Sequence, residues 1–256
     1  GKDPFAIEAI LMALDRSLLV DVALYRYSRP ADATGLSDAL SHWRDSSVVA
    51  TKGWVEFDPV HAAALLDSAG LKLGADGIRR LPDGRPWSCQ ILVVAGWSDW
   101  VRACQVIARG LRGLGIDATV RTYDFNAWFQ HVQEGTFDLS LGWTFEGPTP
   151  YTFYRWLMAS TTVKPVGTPA NGNWHRYASL AADTLLAKFE TEADPAQQLK
   201  LCARLQRIFV NEAPAIPLYP NPSWAEYNLE RFEGFPTREN PYADPSPNKI
   251  DRGEIL

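Results

Sequence analysis

The 256-residue sequence lacks the features that mark several classes of protein. No apolar run approaches the roughly 18 residues that a membrane-spanning helix needs. Basic residues are interspersed with acidic ones and the net charge is −5, whereas a nucleic-acid surface clusters its lysines and arginines. The composition therefore argues against a membrane span and a nucleic-acid partner. It leaves open a globular protein with a small ligand.

Cysteine and histidine are scarce and scattered. The three cysteines are odd in number and far apart, without CxxC spacing, so neither a disulfide framework nor a zinc site is predicted. The four histidines form no HExxH or comparable metal signature. A Gly-x-Ser-x-Gly nucleophile turn and a phosphate-binding P-loop are also missing. We therefore expect no metal and no cofactor.

Tryptophan, by contrast, is abundant, with ten residues. Its large ring face and single N–H donor suit either a heavy core or a site for flat, partly polar ligands. Six aromatic residues fall within the stretch LGWTFEGPTPYTFYRW (141–156), around a Gly-Pro-Thr-Pro turn. Composition does not decide whether these rings fill a core or hold a ligand.

Three helices are predicted to begin in the same way, with aspartate as N-cap and proline at the first helical position. These starts are Asp3-Pro4, Asp58-Pro59 and Asp194-Pro195. An apolar stripe runs from Ile7 to Val22, so the first helix is expected to be long and amphipathic. A helix rather than a signal peptide at this point fits a cytosolic protein or a piece of a longer one. Residues 26–57 show little periodicity and are expected to be a surface excursion.

Strand and helix patterns alternate in the middle of the chain. A hairpin turn at Pro82-Asp83-Gly84 leads into a strand that ends near Val94. Further elements are predicted in order: a helix at 98–114, a strand at 116–123, a helix from 125 to about Gly135, and a strand at 137–143. This alternation is typical of an α/β unit.

Two loops of this unit are dense in aromatic residues. They are AGWSDW (95–100) and GWTFEGPTPY (142–151), and each follows the carboxyl end of a predicted strand. Ligands of α/β proteins meet the loops at that end of the strands. We therefore expect the two loops to form a ligand face on one edge of the sheet.

Several segments resemble the C-terminal half of the family 5 extracellular solute-binding proteins of ABC importers. They are AILMALDRSLLVDVAL, FDPVHAAALLDSAGL, IARGLRGLGIDATVRTYDFNAWFQHVQEGTFDLSLGW and APAIPLYPNPSW. The resemblance implies an α/β, periplasmic-binding-protein-like lobe with a mixed sheet flanked by helices. Residues 1–213 would form the second lobe. Residues 214–256, a proline-rich tail, would cross the hinge toward a first lobe that this chain does not contain.

The resemblance also indicates a ligand class. Peptide-binding members carry an Ala-Asp-Tyr type motif after Gly-Trp, whose aspartate pairs with the α-ammonium group of the peptide. Here the corresponding positions read Thr144-Phe145-Glu146, followed by GPTPY, which is more similar to the branch that binds cellobiose and related oligosaccharides. NGNWHRY (171–177) and FPTRENPY (235–242) are also similar to that branch. An oligopeptide, with Glu146 pairing its ammonium group, is the alternative.

The family resemblance implies a monomeric, extracytoplasmic protein, in the periplasm or anchored as a lipoprotein, that delivers its ligand to an ABC permease. Sugars present flat C–H faces and radial hydroxyls, so their sites combine stacking rings with short polar side chains. The candidate ligand-binding residues are the rings Trp97, Trp100, Trp143 and Tyr151 and the polar residues Asp99, Glu146, Thr149 and Asn173.

Each candidate also has a purely structural interpretation. Trp100 shares the apolar stripe of its helix, and Asp99 could serve the first helical turn, where a carboxylate is favoured by the helix dipole. Glu146 could be a solvated loop acid. Phe153, Tyr154 and Trp156 are expected to lie in the core.

Two other functional classes compete with transport. A glycosidase would need two carboxylates about 5 Å apart, or about 6.5–9.5 Å apart if inverting. Asp99, Asp138 and Glu146 make such a pair arithmetically possible, but Asp138 is expected to be structural. The proline-rich tail is the main support for an interaction scaffold. We therefore predict a binding protein and not an enzyme.

Overall fold

A computed structural model describes residues 4–50, 55–222, 226–231, 233–237 and 239–240, with the side chains of residues 4–6 left out. The chain divides into two compact units, residues 1–220 and 221–256. The expected tail motif FPTRENPY lies partly outside the described residues. Within the described part of the chain, no helix combines the length and the apolarity needed to cross a membrane.

The first unit holds the α/β elements. Its α-helices are α1 (Pro4–Met12), α2 (Arg16–Leu24), α3 (Ser46–Val49), α4 (Pro59–Ser68), α5 (Ser98–Gly113), α6 (Phe125–Glu134), α7 (Tyr151–Met158), α8 (Leu180–Thr191) and α9 (Pro195–Glu212). The strands are β1 (Ser88–Val94), β2 (Asp117–Tyr123) and β3 (Leu139–Ser140). Short 3₁₀ helices lie at Asp38–Trp43 and Ser160–Thr162.

The sheet has the order β2-β1-β3, and β1 pairs in parallel with both neighbours. Its register sets Val94 opposite Tyr123, and Ile91 opposite Leu139. Residues 91–94 are all buried, because α5 and α6 cover the sheet. The α/β fold class is confirmed, but the described strands form a parallel sheet and not a mixed one. Antiparallel pairing among the described residues is limited to isolated bridges, such as Arg80 with Pro86.

Two clusters of buried side chains form the core of this unit. The first surrounds β1 and is completed by apolar faces of α1, α2 and α5. The second is helical and joins α7, α8 and α9 with the 3₁₀ helix at Asp38–Trp43. Burial of these aliphatic and aromatic side chains is the main favourable term in folding.

The predicted first helix is wrong in its length, because the structure divides it into α1 and α2. Asp15 ends the continuity: its carboxylate accepts the N–H of Leu18 and caps α2. Arg16 is buried, and its guanidinium donates to the carbonyls of Leu11 and Leu14 at the junction. Local side-chain bonds therefore override the continuous apolar stripe.

Residues 26–57 were expected to be a surface excursion, and this is wrong for the middle of the segment. Leu36, Leu40 and Trp43 are buried in the second cluster, and Val48 is buried in the first. Leu36, Leu40 and Trp43 are spaced at i, i+4 and i+7, but this run is short and folds mostly as a 3₁₀ helix at Asp38–Trp43, so it gives little periodicity over a longer window.

The second unit is described in part. The rings of Tyr227 and Phe235 stack with their centroids 4.1 Å apart, and the backbone N–H of Thr237 donates to the carbonyl of Asn240. Its described residues form no helix. This agrees with the proline content of the segment.

Candidate ligand-binding site

The carboxyl ends of three parallel strands each lead to an aromatic side chain. Trp97 follows β1 and is 37% exposed, and Phe125 follows β2 and is 43% exposed. Trp143 follows β3 and is half-buried. Because the strands are parallel and adjacent, their carboxyl ends meet at one edge of the sheet. We call Trp97, Phe125 and Trp143 the strand-end ring surface.

These three rings are in mutual contact. The ring centroids of Trp97 and Trp143 lie 6.4 Å apart, and those of Trp97 and Phe125 lie 5.9 Å apart. Phe125 and Trp143 are 6.4 Å apart and almost parallel, with 7° between their planes. The structure therefore brings the two predicted indoles together without burying either of them, while their contact with a ligand remains a prediction.

Buried rings support this surface from below. Trp128 is completely buried, lies 5.2 Å from Trp143, and donates its indole N–H to the hydroxyl of Ser140 over 3.0 Å. Trp100 is 9% exposed and meets Trp97 edge to face at 4.8 Å. The predicted site residue Trp100 thus lies mostly beneath the strand-end ring surface, because it belongs to the buried apolar face of α5.

The start of α6 positions Phe125, which sequence analysis missed. Asp124 caps the helix by accepting the N–H groups of Asn126 and Ala127, so the next side chain stands at the first helical position, beside the end of β2. The sequence did contain a signal for this residue, because the predicted strand at 116–123 is followed two residues later by Phe125.

A second row of rings continues from Trp143. Trp174 lies 5.4 Å from Trp143, Trp156 lies 5.4 Å from Trp174, and Phe145 lies 4.6 Å from Trp156, all edge to face. Phe145 is 47% exposed at the far end. Trp156 was expected to lie in the core but is only half-buried.

The loop that carries Trp174 is held by internal hydrogen bonds. The guanidinium of Arg176 donates to the carbonyls of Trp174 and Gln133. Asn173, a predicted site residue, is 1% exposed. Its amide donates to the carbonyls of Ala159 and Tyr177 and accepts the N–H of Tyr177. Both amide hydrogens are engaged, so Asn173 could donate to a ligand only if one of these bonds broke.

The two acidic candidates, Glu146 and Asp99, lie in different segments of the first unit. Glu146 is exposed and accepts the hydroxyl of Ser37 over 2.9 Å. Asp99 is half-exposed in the first turn of α5. Burial, and then the negative charge of Asp99, raises the pKa of Tyr219. Asp99 follows Trp97 by two residues along the chain.

Tyr151 and Thr149 belong to the turn that starts α7. The ring of Tyr151 stacks on Phe189 of α8 at 5.9 Å and packs against the second cluster. Trp143 packs against the first cluster, and Trp97 contacts Trp100 and Trp128 of that cluster. The hydroxyl of Thr149 accepts the backbone N–H of Tyr151 over 3.4 Å. The structure thus does not join Tyr151 to the strand-end ring surface.

The carboxylate of Asp138 accepts the backbone N–H of Gln90 over 3.0 Å and fixes β3 to β1. This supports its structural interpretation. No cluster of three or more metal-ligating side chains occurs among the described residues.

Comparison with known proteins decides the family. Residues 2–165 match the family described as "Bacterial extracellular solute-binding proteins, family 5 Middle". The chain belongs to this family. Its members and the relatives below are binding proteins, which confirms the prediction that the chain is not an enzyme.

Two curated relatives come from Pseudomonas aeruginosa (strain UCBPP-PA14). Di/tripeptide-binding protein 4 is 28% identical over 64% of this chain, and di/tripeptide-binding protein 2 is 23% identical over 84% of it. The chain spans only 28% and 37% of the lengths of these two relatives.

Solved structures share the fold. A periplasmic oligopeptide-binding protein from Thermotoga maritima, with mannohexaose bound, has a TM-score of 0.87 and 27% identity, covering 95% of this chain and 46% of its own. An oligopeptide-binding protein from Bacillus subtilis, in complex with a nonapeptide, has a TM-score of 0.73 and 22% identity, covering 85% of this chain and 42% of its own. The second likeness shows the fold alone.

Proposed function

We propose that the full-length protein is the substrate-binding component of an ABC importer and captures an oligosaccharide for a membrane permease. The strand-end ring surface carries this proposal. Three neutral rings in contact, two of them more than a third exposed, offer stacking faces for the C–H faces of sugars. The mannohexaose bound to the Thermotoga relative supports the same ligand class.

The polar candidates Asp99 and Glu146 have a complementary role in this proposal. Asp99 and Glu146 would accept hydrogen bonds from sugar hydroxyls, because both carboxylates are accessible to solvent. Trp97, Phe125 and Trp143 would supply the stacking contacts. Trp100 would act mainly by supporting Trp97, with which it is in edge-to-face contact.

We further propose that residues 1–213 form most of the second lobe and that residues 214–256 cross the hinge toward a first lobe. The chain covers less than half of each of these relatives, which fits one lobe of a two-lobed protein. Ligand contacts from both lobes would favour a closed state that the permease recognises. The protein would act as a monomer outside the cytoplasm, in the periplasm or anchored as a lipoprotein.

An oligopeptide is the second candidate ligand. It is favoured by the two relatives named as di/tripeptide-binding proteins and by the exposed carboxylate of Glu146. That carboxylate would pair with the ammonium group of a peptide, at the cost of its hydrogen bond from Ser37.

Isothermal titration calorimetry of the full-length protein separates the two ligands. We expect saturable binding of cellobiose-like oligosaccharides or mannohexaose and no heat with di- and tripeptides. Saturable peptide binding without a sugar response would reverse the assignment. If peptides bind, Glu146→Gln should weaken them, because the ammonium group would lose its anionic partner.

A further inference from the structure

A groove between α8 and α9 lies apart from the ring surface. It has a volume of about 720 Å³ and shares no lining residue with the proposed ligand site. Its apolar residues include Leu185, which is buried in the second cluster, Ile208, which is half-buried, and Leu180, which is 83% exposed. An exposed leucine beside a groove offers apolar area that a partner could remove from water.

The same groove is cationic. Lys188, Arg204 and Arg207 line it, and none of its described lining residues is acidic. Arg207 forms an ion pair with Asp45 over 2.9 Å. Lys188 and Arg204 are exposed and form no ion pair with the described part of the chain. The groove therefore has two cations available for a partner, in a chain whose net charge is −5.

The shape of the groove indicates the form of its occupant. Its lining residues on α8 run from Leu180 to Lys188, which corresponds to about 12 Å of helix. A third helix packs naturally into the groove between two helices, with its apolar face inward at i, i+3, i+4 and i+7. The cations would then face acidic residues at the edges of that stripe.

We propose that this groove is a docking site for an acidic amphipathic helix of a partner protein. The apolar stripe would cover Leu180 and Ile208, and flanking glutamates or aspartates would pair with Lys188 and Arg204. This interaction is independent of the proposed transport ligand, because the two sites lie against different core clusters.

The test uses the full-length protein and a fluorescein-labelled helical peptide with leucines at i, i+3, i+4 and i+7 and glutamates beside them. We expect saturable binding in fluorescence anisotropy, weakened about tenfold by combining Lys188→Glu with Arg204→Glu, and weakened by added salt. Lys200→Glu is the matched control, because Lys200 is an exposed cation of α9 that does not line the groove. It should change the affinity less than twofold.

Three outcomes would overturn the proposal. One is the absence of saturable binding. Another is equal affinity for a peptide with glutamine in place of each glutamate, which would remove the role of charge. The third is binding of anionic phosphatidylglycerol vesicles but not of the peptide, with the same loss on charge reversal, which would assign the groove to a membrane surface.

Discussion

One stretch of sequence, residues 141–156, supplies rings to two different environments. Trp143 and Phe145 follow the end of β3 and stay partly open to solvent, whereas Phe153 and Tyr154 are 4% and 0% exposed in the second cluster. The hydroxyl of Tyr154 donates to the carbonyl of Thr34, so even its polar end is satisfied inside the protein. Both regions carry aromatic side chains, but the side chains differ in their exposure to solvent.

The difference follows from the element that carries each ring. Trp143 and Phe145 lie beyond the carboxyl end of β3, while Phe153 and Tyr154 lie on the face of α7 that packs into the second cluster against Phe209 of α9. Trp143 and Phe145 are therefore partly accessible to solvent, and Phe153 and Tyr154 stabilise the fold. This contrast predicts that mutations in the two regions affect different measurements.

The largest effect is expected from Phe153→Ala, which removes a buried ring in contact with Tyr154 and Phe209. Loss of the ring and the cavity left behind should lower the free energy of unfolding by about 3–5 kcal/mol. Urea unfolding measures this. Ligand affinity of the folded protein should stay unchanged, and a variant that lost affinity but kept stability would break the contrast.

The double variant Trp97→Ala with Trp143→Ala should act on binding instead. Two stacking contacts at about 1 kcal/mol each correspond to a loss of roughly thirtyfold in ligand affinity, measured by calorimetry. Trp87→Ala is the control, because Trp87 is also half-buried but precedes β1 at the opposite end of that strand. Equal losses in the variant and the control would contradict a site at the carboxyl ends.

A smaller loss is expected from Phe125→Ala. This ring is the third member of the surface, and its removal should weaken binding about fivefold, equivalent to about 1 kcal/mol. Phe57→Ala is a matched control, since Phe57 is 50% exposed and lies outside the surface. An unchanged affinity for Phe125→Ala would limit the surface to the two indoles.

The smallest expected effect is a loss of folding stability at low pH, which concerns the scaffold and not the ring surface. The hydrogen bond from Arg29, joined by one from Arg44, lowers the pKa of Asp38 from 3.8 to about 2. A lowered carboxylate pKa gives stability that is present above 3.8 and is lost as the pH falls toward about 2. Asp38 is 70% exposed, so the change should be modest.

Thermal unfolding between these pH values measures that contribution. Asp38→Asn should flatten the decline in melting temperature, while its stability near neutral pH falls slightly. An unaltered decline would assign the acid sensitivity to other carboxylates.

Much of the α/β unit could be predicted from sequence, because its signals are local. Asp58 and Asp194 cap α4 and α9 as expected, and Gly135 ends α6 with the positive φ that glycine adopts without strain. The predicted strand at 137–143 shortens to Leu139–Ser140, since pairing with β1 is limited to two residues. The strand register depends on tertiary contacts, and the division at Asp15 depends on side-chain hydrogen bonds that an apolar period does not reveal.

Part of the candidate site could also be predicted from local sequence signals. Trp97 and Trp143 were predicted because each follows a predicted strand. Which rings contact each other depends on the strand order β2-β1-β3, and this order places Phe125 beside the two indoles. Tyr151 was grouped with them because it is close in sequence, yet the helix it starts turns its ring toward Phe189. Proximity along the chain is a poor guide once a turn intervenes.

The most direct test of the central claim is an NMR titration of the indole N–H signals of the full-length protein with an oligosaccharide. We predict saturable shifts for Trp97 and Trp143 and none for Trp43, which is 8% exposed in the second cluster. Unchanged signals of Trp97 and Trp143 at saturating ligand would contradict the assignment of the strand-end ring surface as the binding site.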